Sequence, residues 1–181
     1  MALENNSILD ILDSSNRNKR IFVLSQLTQI NNPKIIGKII SLLDDNDITI
    51  RGEVFSTLML NENDISKELI LSLSSKSKNL RAFCSLLLAN RNDKNAIDSI
   101  IKLTNDSSSM VRSCAFGALG HLRASNTRQE IHQGIFDSNL EVKKSAAYSL
   151  VLLNENISND EKIELEKQKD PDLEKILNNC N

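Results

Sequence analysis

The chain has 181 residues, of which 40% are hydrophobic and 25% charged, and its 22 basic against 24 acidic side chains leave a net charge of −2. That balance is usual for a globular protein and lacks the basic excess by which proteins neutralise nucleic-acid phosphates. No apolar stretch approaches the ~20 residues that a membrane helix needs.

The opening Met1-Ala2-Leu3-Glu4 has no basic segment followed by an apolar run, so no secretory signal is expected. Two Pro, five Gly and no Trp suit helices better than sheets. Cys84, Cys114 and Cys180 are odd in number and without metal-ligand spacing, and read as reduced thiols in a cytoplasmic protein.

Taken in order, the chain alternates two kinds of helical pattern. Ile36, Ile39, Ile40 and Leu43 form a one-sided stripe at spacings of three and four, as do Leu69, Ile70 and Leu73, and then Ile97, Ile100 and Ile101. Each stripe is followed by a short polar corner and a second helix. The predicted pairs are about 4–13 with 17–30, 33–43 with 47–60, 65–74 with 77–90, 94–104 with 108–122, and 127–136 with 140–153. A short charged pair, 159–168 with 171–178, reads as a polar terminal cap. Helix starts are marked by Asn32-Pro33, by Asp170-Pro171, by the Ser158…Glu161 spacing of a capping box and, more loosely, by Asn126…Gln129.

The second helices share a skeleton: an aliphatic residue, a basic residue, a small residue three further on, and Leu after four more. It reads Ile50-Arg51…Val54…Leu58, Leu80-Arg81…Cys84…Leu88, Val111-Arg112…Ala115…Leu119 and Val142-Lys143…Ala146…Leu150. A weaker copy is Arg20…Val23…Leu27, and Leu173-Glu174…Leu177 is truncated. The second skeleton position recurs at 20, 51, 81, 112, 143 and 174, a period of 30 or 31 residues. A fixed period in that range marks stacked supersecondary units, so a single all-α domain over 1–181 is expected, with repeats at about 4–30, 33–60, 65–90, 94–122, 127–153 and 159–178. Val54, Cys84, Ala115 and Ala146 should lie where a second helix meets its own first helix, since a bulky residue there would push the two apart.

The motif Asp-x-x-x-x-Val-Arg-x-x-Ala-x-x-x-Leu, seen as Asp106…Val111-Arg112…Ala115…Leu119, resembles the HEAT repeat, specifically the short PBS lyase HEAT-like form of bilin-lyase-related proteins. Asp137…Val142-Lys143…Ala146…Leu150 and Asp45…Ile50-Arg51…Val54…Leu58 match nearly as well; Ser75 and Ser14 stand at the Asp position in two other repeats. The resemblance implies a right-handed armadillo-like α-solenoid of about six pairs. It also implies a ladder in which Asp45, Asp106 and Asp137 pair with Arg51, Arg81, Arg112 or Lys143 along the corners. The same basic row has a second reading, a stripe that binds phosphate or carboxylate. Related proteins of the deoxyhypusine hydroxylase type hold iron through His-Glu dipeptides, but here Leu122 follows His121 and Gln133 follows His132. No metal, cofactor or catalytic constellation is expected, and both histidines read as surface residues. Cys84 should be an inert core thiol; Cys114 should face a neighbouring repeat.

Counted at 100° per residue, the face of the second helices opposite the core carries Gly52, Ser56, Met59, Ala82, Leu86, Ala89, Ser113, Gly117, Gly120, Lys144, Tyr148 and Val151. Small residues there have two readings: crowding between helices, or a groove for a partner's helix or extended segment. The function expected is a non-catalytic, cytoplasmic protein-binding scaffold, with Met59, Leu86, Gly117, Tyr148 and Val151 as partner contacts. The alternatives are an accessory factor in bilin attachment or tetrapyrrole-protein maturation, and a hydroxylase-type enzyme that the missing His-Glu pairs disfavour. No nucleic-acid or membrane partner is expected.

Overall fold

The computed structural model describes residues 5–178, so Cys180 lies outside the described residues. The described residues form twelve α-helices and no strand. They run as α1 (Asn5–Asp13) and α2 (Arg17–Ser25), α3 (Pro33–Ser41) and α4 (Ile48–Leu60), α5 (Ser66–Ser72) and α6 (Lys78–Asn90). Next come α7 (Ile97–Leu103) and α8 (Ser109–His121), α9 (Arg128–Gly134) and α10 (Leu140–Leu152), α11 (Asn159–Glu166) and α12 (Pro171–Asn178). Short 3-10 turns at 42–44, 94–96 and 125–127 extend α3 and lead into α7 and α9.

The starts follow local chemistry. The Asn32 side chain accepts hydrogen bonds from the Lys34 and Ile35 amides ahead of α3, whose first residue Pro33 has no amide hydrogen to satisfy. Ser158 and Glu161 complete a reciprocal capping box at α11, and Asp170 accepts from the amides of Asp172 and Leu173 at α12. The Asn126…Gln129 start is corrected: α9 begins after a 3-10 turn, and its N-cap Thr127 turns its hydroxyl back to the Ala124 carbonyl. α2 stops five residues short of the expected end. The side-chain amides of Asn61 and Asn63 donate to the carbonyls of Ile30 and Gln29, at 2.8 and 3.1 Å, so that segment is satisfied without helix.

The chain divides into two compact units, one ending at Leu87 and the other beginning at Leu88. In the first unit α1 packs on α2 and α3 on α4, while α1, α3 and α5 contact one another in sequence and α2 contacts α4. First helices therefore form one layer and second helices another. Leu24, Ile35, Ile39, Leu43, Ile50, Val54, Leu58 and Leu69 are fully buried between them. Burial of each large aliphatic side chain contributes about 1.5–3 kcal/mol.

In the second unit α7 packs on α8, α9 on α10 and α11 on α12, with α8 against α10 and α10 against α12. Its core includes Ile100, Val111, Ala115, Leu119, Ile131, Val142, Ala146, Leu150 and Leu165. The small positions Val54, Cys84, Ala115 and Ala146 all have no accessible surface. Asn92, Arg123 and Asn154, each 31 residues from the next, take left-handed backbone with φ between 51° and 55° just beyond a second helix.

Two hydroxyls tie neighbouring second helices together. Thr57 Oγ1 on α4 donates to the Leu24 carbonyl on α2 at 3.0 Å, and Ser149 Oγ on α10 donates to the Phe116 carbonyl on α8 at 2.8 Å. Both residues sit seven positions after the aliphatic skeleton residue and both reach back 33 residues. Each hydroxyl shares its one hydrogen with a carbonyl of its own helix, that of Glu53 or Ser145. Both side chains are buried and satisfied.

Candidate functional site

Two surfaces concern function: the corners that hold the basic row, and the exposed side of the second helices. At the corners, each arginine first serves its own turn. Arg51 Nη1 donates to the Asp45 carbonyl at 2.7 Å, Arg81 Nη1 to the Ser75 carbonyl at 2.8 Å, and Arg112 Nη1 to the Asp106 carbonyl at 2.9 Å. The same nitrogens also reach the carbonyls of Asn46, Lys76 and Ser107.

The carboxylate pairs run between neighbouring repeats. Arg112 Nε and Nη2 grip the two Asp137 oxygens, one repeat further on, at 2.7 and 2.8 Å. Arg20 pairs in the same sense with Asp45, and Lys143, a buried lysine, with Glu164 on α11. The backbone carbonyl six residues before the arginine occupies one edge of the guanidinium, so its fork points onward to the next corner. The Arg112 hydrogen bonds hold the Asp137 carboxyl below its ordinary range against the opposing effect of burial. Desolvation at Asp45 is likewise outweighed, by Arg20 and by the Asp47 amide, and its pKa is lowered.

The expected outward face is only partly exposed. Gly52, Ser56 and Tyr148 face solvent, while Met59, Leu86, Ser113, Gly117 and Val151 are half-buried. Ala82, Ala89 and Gly120 are buried, which corrects their placement. At Gly120 the cause is explicit: a Cβ there would lie 2.5 Å from Ser149 Oγ and 2.8 Å from Ser149 Cα on α10. Lys144 turns to the cap, 2.8 Å from Asp172 and 3.4 Å from Asp170, and the Asp172 hydrogen bond raises its pKa.

In the first unit α4 and α6 open into an apolar groove of about 400 Å³, lined by Ile48, Arg51, Gly52, Phe55, Phe83 and Leu86. The Phe55 and Phe83 rings meet edge to face with centroids 6.3 Å apart. Ile48 is 74% exposed at the groove's mouth. A Cβ at Gly52 would meet nothing within 4 Å, so the α4 backbone is bare there. Of the expected partner contacts Leu86 lines the groove; Met59, on α4, is not among its lining residues, and Gly117, Tyr148 and Val151 belong to the other unit. Phe55 and Phe83 are not among the residues that 100° periodicity places on the outward face. Their signal was the recurrence of a scarce aromatic: four of the five Phe, at 22, 55, 83 and 116, fall on the successive second helices α2, α4, α6 and α8.

Burial pushes the Cys84 thiol up to about 12 and the Cys114 thiol up to about 11. Cys114 lines a shallow cleft with Asn139 and Glu141 of the next repeat. His121 is exposed. His132 is not a bare surface residue: its Nδ1 lies 2.6 Å from Glu161 Oε1, and buried Glu161 also accepts from the Ser158 amide and hydroxyl. Among the described residues, no three His, Cys, Asp or Glu side chains are placed to hold a metal ion, and no helix is long and apolar enough to cross a membrane.

The family model for HEAT repeats matches residues 66–151. No curated protein matches the chain in sequence. Among solved structures, the CpcE–CpcF complex of phycocyanin lyase from Nostoc is 18% identical with a TM-score of 0.60, covering 97% of this chain and 75% of that one. The YibA protein of Escherichia coli is 20% identical with a TM-score of 0.67, covering 95% of this chain and 67% of that one. A designed armadillo repeat protein in complex with the peptide (KR)4 is 16% identical with a TM-score of 0.52, covering 99% and 100%. Residues 66–151 thus match HEAT repeats, and the chain has the all-α repeat fold of these solved structures.

Proposed function

We propose that this protein is a non-catalytic scaffold that binds a segment of another protein in the groove between α4 and α6. The observation that carries the reading is the groove itself: an aromatic pair, Leu86 and a highly exposed Ile48 around the bare backbone of Gly52. Apolar groups left in water at one place mark interaction sites, and the volume falls in the roughly 300–1,000 Å³ range of binding clefts. Three corner pairs, Arg20–Asp45, Arg112–Asp137 and Lys143–Glu164, join repeats, which supports a structural task for those groups. The designed armadillo protein of the same fold is seen with a peptide, which is consistent with a protein partner.

Selection of a randomised displayed peptide library on the protein tests the reading. Peptides that bind wild type should lose about tenfold or more in affinity for Leu86→Arg, which places a charge among the apolar anchors, while both proteins melt alike. Undiminished binding by that variant overturns the proposal.

The alternative, an accessory factor in bilin attachment, draws on the likeness in fold to the phycocyanin lyase complex. Covalent attachment at Cys114 is disfavoured, because a thiol raised to about 11 supplies little thiolate near neutrality. Titration with a free bilin, followed by its visible absorbance, separates the readings: a spectral shift abolished by Leu86→Arg would favour the alternative.

A further inference from the structure

We infer that the segment bound in the groove carries a carboxylate beside its apolar anchor, and that Arg51 receives it. The inference rests on the proposed groove and assigns its partner's chemistry.

Arg112 shows what a complete corner looks like. One edge of its guanidinium holds the carbonyls of its own turn, and the Nε–Nη2 edge grips Asp137 of the next corner. Arg51 holds the carbonyls of Asp45 and Asn46 with Nη1 in the same way, at 2.7 and 3.3 Å. The residue equivalent to Asp137 in the next corner is Ser75. The equivalence is structural. Ser75 Oγ accepts from the amide two residues on, as Asp137 Oδ1 and Asp45 Oδ1 do, and its carbonyl accepts from Arg81. A serine supplies no carboxylate, and among the described residues none pairs with Arg51.

The fork of Arg51 is therefore oriented on one edge and unneutralised on the other, and it is the charged member of the six residues lining the groove. A planar guanidinium held this way is preorganised for a carboxylate, with two parallel hydrogen bonds and little further loss of freedom. The apolar lining lowers the local dielectric and strengthens that pair. A segment that seats a large apolar side chain on Phe55, Phe83 and Leu86 then places an adjacent Asp, Glu or chain terminus on Arg51.

The test uses the library-selected peptides. Sequences enriched on wild type should place an acidic residue next to a large apolar one. The strongest binder is synthesised together with a version in which each acid is replaced by its amide. Ser75→Asp restores the absent ladder carboxylate and occupies the Arg51 fork. It should weaken the acidic peptide about tenfold or more while binding the amide version as wild type does. Its melting temperature should be no lower than wild type, which keeps misfolding from mimicking the result. Enrichment without an acidic residue, or equal affinity of Ser75→Asp and wild type for the acidic peptide, overturns this inference and leaves the groove standing if Leu86→Arg still abolishes binding. Binding indifferent to Leu86→Arg overturns the groove and this inference with it.

Discussion

Gly117 and Gly120 lie three residues apart on α8, yet replacing each by alanine should move stability in opposite directions. Glycine inside a helix is worse than alanine by roughly 0.5–1 kcal/mol, because the unfolded chain loses more freedom on folding. A Cβ at 117 meets nothing within 4 Å, so Gly117→Ala should gain about that much. A Cβ at 120 would sit 2.5 Å from Ser149 Oγ, 2.7 Å from its Cβ and 2.8 Å from its Cα. The hydroxyl could rotate, but the Cα belongs to the backbone, so α8 and α10 must separate. Separation also stretches the 2.8 Å bond from Ser149 to the Phe116 carbonyl.

Overpacking of this kind costs about 1–3 kcal/mol and a lost hydrogen bond about 1 more, against the same helix gain. Gly120→Ala should therefore be destabilised by about 1–3 kcal/mol. At roughly 2–4 °C per kcal/mol for a chain of this size, the two variants should melt about 3–16 °C apart, with wild type between them. Urea and thermal melts followed by circular dichroism read this directly. Equal melting of the two variants would show that α8 and α10 do not approach at Gly120, and the account of the second-helix layer would fail.

Arg112→Met should destabilise the second unit by about 2 kcal/mol, since it strands a largely covered Asp137 carboxylate and two corner carbonyls. In the Asp137→Asn background the same change should cost less, because the pair is already broken; wild-type stability with loss of bound inorganic phosphate would instead support an anion-binding stripe. Asp45 and Asp137 have depressed carboxyl pKa values when folded, so the stability they confer is present above the ordinary value of 3.8 and is lost as pH falls through the lower folded values. Acid titration of Asp137→Asn should accordingly show a shallower fall below about pH 4 than wild type. Ala115→Asp places an unpaired charge at a position with no accessible surface and should unfold the second unit, at a cost of at least several kcal/mol, whereas Ser138→Asp on an exposed corner should melt like wild type.

Much of the fold was legible in the order of residues. The 31-residue period, the stripes of Ile36, Ile39 and Ile40, and the caps at Asn32, Ser158 and Asp170 are local signals. Helix starts and apolar periodicity report on the same few residues that create them. The buried small positions Val54, Cys84, Ala115 and Ala146 were equally legible, because they concern a helix and the partner next to it in the chain.

The tertiary structure decided whatever depends on the neighbouring repeat. A helical wheel distinguishes the side facing a helix's own partner from the opposite side, but a second helix in a layer has two further neighbours. Gly120 is therefore buried against α10 although the wheel points it outward, and Ser149 meets a carbonyl 33 residues away. The direction of the arginine forks has the same origin. The carbonyl six residues before the Arg takes one edge of the guanidinium and sends the other edge to the following corner. For that reason the absence of a carboxylate at Ser75 acquires meaning only through the structure, as an open fork at Arg51 beside Phe55, Phe83 and Leu86. Periodicity is a property of one strand of sequence, whereas a groove is made by two helices whose register is set by packing.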